Sequence, residues 1–215
     1  MKRRTVGILG LSGVLLTPFW VGANEVAVSG RLGSLGIGVE GTFGLSQRFN
    51  ARLGVNRFDF EISETIDDIE YDLDLQWRSI ALFADWHPFG SRFRFTAGLL
   101  RNNNEFTGST AATTLTIGDT TYSDTGLDAR LEFNKHAPYL GLGWGNLLTT
   151  GSGWGFNVDL GIMYQGSASV SLTPTGAAAV LVDPDDLDKE EQSFEDDIKL
   201  YRYYPVFSFG VSYRF

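Results

Sequence analysis

The chain has 215 residues, no cysteine, 26 glycines and 13% aromatic residues, with 17 basic against 26 acidic side chains. The missing thiols exclude disulfides and thiolate metal sites. The formal charge of −9 speaks against nucleic acid as a partner.

The first segment, MKRRTVGILGLSGVLLTPFWVGA, sets three cations (Lys2, Arg3, Arg4) before an apolar run and ends in small residues. This is the anatomy of a cleavable secretory signal over 1–23. A membrane anchor is the other reading, and the Gly, Ser and Pro that punctuate the run count against it. Residues 24–215 are then a single domain outside the cytoplasm, with 14 basic residues against 26 acidic ones. No later stretch has the length of an apolar transmembrane helix, so entry into a membrane would require a closed barrel.

Period-two alternation then recurs along the chain. EVAVSGRLG places Val26, Val28 and Leu32 against Ala27, Ser29 and Arg31, and a tight turn at Gly33-Ser34 leads into a strand over 35–45. Further strands are predicted at 49–62, 71–87, 92–105, 129–146, 153–172 and 200–215. Together they make eight, an even number that returns both ends of the chain to one side. Apolar positions change phase near Arg78 and near His136–Pro138. Each change is either a β-bulge or the level at which a strand leaves the membrane. Turns at 45–49, 87–91 and 146–153 are short and fall on one side. The connections around SETIDDIEY, 106–128 and 173–199 are long and fall on the other. This is the asymmetry of an outer-membrane barrel. In the last long connection Asp183 is placed as an N-cap before Pro184, which predicts a short extracellular helix. The expected fold is all-β: an eight-stranded antiparallel up-and-down transmembrane barrel with one loop helix.

YDLDL, APYLGLGWG, WGFNVDLGIMYQGSASVSLT and the acidic helix followed by YYPVFSFGVSYRF resemble the small CarO-type outer-membrane barrels of Gram-negative bacteria. The resemblance spans most of residues 24–215 and is strongest after Ala137. It implies an integral outer-membrane location and a role in uptake of ornithine and other basic amino acids, in a family associated with carbapenem susceptibility. It also implies that Tyr213 and the terminal Phe215 form the signal read by the outer-membrane assembly machinery.

With the apolar face toward lipid, the other face lines the interior. There Arg31, Glu40, Arg52, Asp85, Arg94, Asp159, Arg202 and Arg214 are expected to form a lumen ion-pair network, since buried charges must be paired. Asp85 and Arg94 flank a short turn and should be cross-strand neighbours. A barrel of eight strands is only wide enough for side chains to fill. Asp67, Asp68, Asp72 and Asp74 crowd one outer loop, and residues 183–197 add nine acids against one lysine. An acidic mouth would concentrate cations. A substrate path through Asp67, Asp68, Asp72, Asp74, Arg78, Arg130 and Glu132 would make a narrow passive channel for small, preferably cationic solutes. The alternative is a non-conducting barrel that supports the envelope or contacts lipopolysaccharide. The two histidines, His87 and His136, fall on opposite sides and lie near no nucleophile spacing, so no enzyme, cofactor or metal site is expected. The expected partners are outer-membrane lipid, lipopolysaccharide and the assembly machinery, with the chain a monomer.

Overall fold

Alternating side chains and pairing of each strand with its neighbours close the sheet on itself. The computed structural model describes residues 25–66, 69–145 and 152–215. Residues 1–24, expected to hold the signal, together with Asp67, Asp68 and most of the 146–153 turn, lie outside the described residues. The strands are β1 Val26–Gly33, β2 Gly36–Ser46, β3 Phe49–Ile66, β4 Ile69–Trp86, β5 Phe93–Asn102, β6 Glu105–Ile117, β7 Thr120–Glu132, β8 His136–Trp144, β9 Gly153–Tyr164, β10 Ser169–Thr175 and β11 Tyr203–Arg214. Helix α1 spans Pro184–Asp197.

Eight of these strands form a closed antiparallel ring in the order β1-β2-β3-β4-β5-β8-β9-β11, and β11 pairs back onto β1 through Ala27 opposite Arg214. Closure leaves no free edge at membrane depth. The remaining strands continue the same sheet upward. Above Trp77, β4 exchanges β5 for β6, with Gln76 opposite Glu105. β6 then pairs with β7, and β7 with β10. Three strand lines are therefore broken at 103–104, 133–135 and 165–168, while β3 and β4 run through as one long hairpin.

This arrangement corrects four expectations. There is no bulge near Arg78: β3 and β4 keep one register from Phe49↔Trp86 to Ile66↔Ile69. There is none at His136–Pro138, because that strand line breaks at 133–135 and resumes with its parity unchanged. In both lines the apolar residues change face where the sheet rises out of the lipid-facing zone. Below, Ile80 and Leu82 point outward; above, Leu75 and Trp77 lie on the lumen side. The third correction concerns 153–172. Gly166 (φ 74°) turns the chain between β9 and β10, and Val170 and Leu172 end up buried instead of facing lipid. Residues 106–128, expected as loop, are the β6–β7 hairpin.

The outer wall carries Phe43, Leu53, Val55, Leu82, Leu99, Leu140, Leu160 and Phe207, all exposed. At its lower end aromatic rings cluster: Trp86 with Phe95 (5.8 Å), Trp154 with Tyr213 (5.2 Å) and Tyr213 with Phe215 (5.3 Å). Tyr164 and Tyr203 meet at 5.3 Å near the upper end. Aromatic girdles at both rims are where such side chains settle at a membrane interface. Tyr213 faces outward.

Candidate functional site

Inside the ring, alternation brings six charged side chains from six strands to one level. Arg31 (β1) reaches Glu40 (β2) at 2.7 Å and also pairs with Asp159 (β9). Arg52 (β3) lies 3.1 Å from Glu40, 2.7 Å from Asp85 (β4) and 3.4 Å from Asp159. Arg94 (β5) lies 2.7 Å from Asp159 and 3.7 Å from Asp85. Asp85 is directly opposite Thr96, so its approach to Arg94 is diagonal. Three arginines thus balance three carboxylates. Arg52, Asp85 and Arg94 are each only 1% exposed. Neighbouring hydroxyls complete the acceptors and donors: Thr96 donates to Asp85 at 2.7 Å, and Arg31 also donates to Ser208. Arg94 donates at 2.6 Å to the Gly145 carbonyl. The layer is neutral and richly hydrogen-bonded, the condition under which buried ions are tolerated.

Above this layer the lumen is apolar. Ala81, Phe83, Leu100, Ala137, Tyr139, Met163 and Val206 form one buried cluster, with Leu35 and Tyr204 packed against it. Phe83 links the two layers: its ring lies 4.9 Å from the Arg52 guanidinium carbon and 4.9 Å from Tyr139. Tyr139 lies flat over Gly141 and Gly161, where an added Cβ would come within 2.3 Å and 2.4 Å of the tyrosine. Below the ionic layer, His87 is buried between the Asn50 amide (3.1 Å) and the Ser91 carbonyl (3.0 Å). With Nδ1 donating to that carbonyl, Nε2 accepts from Asn50. The other histidine, His136, is exposed on the outer wall at the opposite end.

The remaining predicted residues lie elsewhere. Arg214 pairs with Glu25 at 2.6 Å at the lower end. Arg202 donates to the Lys199 carbonyl at 2.8 Å, at the upper rim. Neither belongs to the six-membered network. Arg78 and Arg130, predicted along an inner path, are both exposed on the outward face. Arg78 lies 3.8 Å from Asp59. Arg130 stands on β7, above the ring, 3.0 Å from Glu105 and 2.9 Å from Glu132. Asp74 accepts from Gln76 at 3.0 Å on the same outward face, opposite Glu61. Asp72 occupies β4 between Ser63 and Ser109. Asp67 and Asp68 lie outside the described residues. Among the described residues, Asp74 and Glu132 face outward with Arg78 and Arg130 and do not converge on a lumen path.

Helix α1 begins as predicted, with Asp183 accepting from the Asp185 amide at 3.0 Å. Three of its acids, however, accept from neighbouring backbone. Glu191 accepts from the Leu172 amide (2.7 Å) and Glu195 from the Val170 amide (3.2 Å), covering the otherwise free edge of β10. Glu190 accepts from the Gly118 amide at 3.0 Å, and Lys189 pairs with Asp119 at 2.7 Å. Asp186 accepts from the Tyr122 hydroxyl at 2.9 Å. Hydrogen bonds from Thr120 and Tyr122 hold its carboxyl below the usual range, so it stays ionised. The helix clamps the outer sheet instead of lining an acidic vestibule.

Two solved structures share this architecture. The crystal structure of Acinetobacter baumannii CarO superposes with a TM-score of 0.60 at 21% identity, covering 89% of this chain and 98% of that one. The crystal structure of Acinetobacter baumannii CarO2 gives 0.60 and 22% over the same shares. The chain has the fold of the CarO barrels. No protein-family model matches the sequence, and no curated protein matches it. The CarO likeness thus carries the eight-stranded outer-membrane architecture, and the site has to be read from its own residues.

Proposed function

We propose that the protein is an integral outer-membrane barrel, closed to solutes, that serves the Gram-negative envelope as a structural and lipopolysaccharide-contacting element. One observation carries this reading: the lumen is filled by two stacked layers, a neutral network of three arginines and three carboxylates and an apolar cluster around Phe83 and Tyr139. A solute crossing the barrel would have to displace both. The ionic layer offers no unpaired charge to draw a cation inward, because each carboxylate is already paired with at least two arginines. An eight-stranded ring leaves no further width. The channel for basic amino acids is the competing function, and among the described residues its acidic candidates Asp74 and Glu132 lie on the outward face.

The test is uptake of labelled ornithine or lysine by liposomes holding refolded residues 24–215, beside conductance in planar bilayers. The expected flux equals that of empty liposomes, with no unitary current. Saturable uptake would overturn the proposal.

A further inference from the structure

The protein is acidic overall, yet one tier of its outer wall is basic. Arg57 on β3 stands directly opposite Arg78 on β4, and Arg101 on β5 directly opposite His136 on β8. Arg101 is diagonal to Arg78, because its own partner on β4 is Ile80. Lys135 adjoins His136 in the chain and is exposed. The side chains of Arg57, Arg78, Arg101 and His136 face outward on neighbouring strands, and Lys135 lies in the break just before β8.

Like charges directly across an antiparallel pair hold their Cβ atoms about 5 Å apart and destabilise the sheet. Here the compensation is thin. Asp59 serves both arginines of the first pair, 2.5 Å from Arg57 and 3.8 Å from Arg78. Among the described residues, Arg101 and Lys135 have no acid within ion-pair distance. Glu105 and Glu132 stand one step further up and are both held by Arg130. Above them Glu61 faces Asp74, so the basic residues form a single tier and not a general surface property.

The height of the tier supplies the second observation. Directly beneath it on the same strands are the exposed, outward Val55, Ile80, Leu99 and Leu140. On β4 the outward series runs Trp86, Ala84, Leu82, Ile80 and then Arg78. Eight residues at about 3.4 Å each, tilted by about 40°, place Arg78 roughly 21 Å above the Trp86 girdle. That is close to the height of roughly 25 Å expected of a barrel's apolar band. Tyr164 and Tyr203 mark the same rim on β9 and β11. The arginines therefore stand where the headgroups of the outer leaflet begin, and an anion between them would relieve the Arg57–Arg78 pair.

We infer that Arg57, Arg78 and Arg101, with Lys135 and His136, form a binding site for the phosphate groups of an outer-leaflet glycolipid of the lipid A type. The acyl chains of that lipid lie against the Val55–Ile80–Leu99–Leu140 wall below. The inference rests on the envelope location proposed above, but not on the lumen being closed.

The experiment is equilibrium binding of lipid A, presented in neutral detergent micelles, to the refolded barrel. The wild type is compared with an R57Q/R78Q/R101Q variant and with an R48Q/R92Q control in the lower turns. All three variants are first shown to fold by heat-modifiable gel mobility. Each arginine near an anionic lipid surface is worth about fivefold in affinity. The triple variant should bind about a hundredfold more weakly, and the control should match the wild type. An R57K/R78K/R101K variant, which keeps the charge, should retain binding within a few fold. Dephosphorylated lipid A and inorganic phosphate alone should each bind far more weakly than the intact lipid. Equal affinity of wild type and triple variant would overturn the inference. So would equal binding of the dephosphorylated lipid, or phosphate binding as tight as that of lipid A, which would make this a free-anion site. A barrel that conducts ornithine yet binds lipid A through these arginines would refute the closed lumen and sustain the site.

Discussion

Replacing Arg52 with methionine tests the central claim about the lumen. Arg52 is 1% exposed and is paired with Glu40, Asp85 and Asp159, while its guanidinium rests over Phe83. Its removal leaves three carboxylates against two arginines in a space closed to water. Breaking a buried ionic group by deleting one partner costs about 3–5 kcal/mol. The double variant R52M/E40Q restores neutrality. Arg31 and Arg94 then face Asp85 and Asp159, and the Arg31–Asp159, Arg94–Asp159 and Arg94–Asp85 pairs all survive. The double variant should therefore be more stable than R52M alone, with a coupling of about 1–3 kcal/mol. Urea unfolding from phospholipid vesicles, read by tryptophan emission, gives the numbers. The single variant should lower the midpoint by about 1 M or more. A single variant within about 1 kcal/mol of the wild type, or a double variant whose loss equals the sum of the two singles, would show that the six residues do not act as one neutral unit.

Gly161→Ala should cost about 1–3 kcal/mol by overpacking against Tyr139, whose ring would meet the new methyl group. Tyr139→Leu in the same background should recover part of that loss in the same urea assay, and a Gly161→Ala chain as stable as wild type would contradict the packing. Glu191→Gln with Glu195→Gln should speed hydrogen exchange at the Val170 and Leu172 amides by tenfold or more, since hydrogen bonds to charged acceptors are worth about 1.5–3 kcal/mol each. Unchanged exchange at those two amides would mean that α1 does not protect the β10 edge.

The strand lines were legible because alternation depends only on the pleat. So were all six members of the ionic layer, which fall on one face of strands whose other face is apolar at that level. What alternation does not encode is the identity of the apolar surroundings. Val170 and Leu172 alternate as cleanly as Phe156 and Val158, but the first pair is buried under the outer sheet and clamp helix while the second lies on the lipid-facing wall. The residues that switch one to the other, Gln165 to Ala168, carry only a single glycine as a signal. The acids of 183–197 were visible as charge, whereas their acceptor role toward the backbone of β10 and the 118 turn depends on chain segments distant in sequence. Arg57 and Arg101 were passed over for the same reason. Their meaning lies in the register that sets Arg57 beside Arg78 and Arg101 beside His136, and register across strands is not written in either strand alone.

The short wall between the Trp86 girdle and the basic tier has a further consequence. A barrel cannot tilt or bend its wall as readily as a single helix can, so a mismatch with the surrounding bilayer must be absorbed by the lipid. At roughly 21 Å, this wall is shorter than the roughly 30 Å hydrocarbon layer of an average membrane, and each ångström of disagreement costs a fraction of a kcal/mol spread around the whole circumference. The outer membrane is thinner than average. In a thicker bilayer the protein would gather a collar of compressed lipid around itself, and sharing that collar with a neighbouring barrel would lower its cost. Membrane thickness alone would then set how strongly such barrels cluster, without any contact evolved between them.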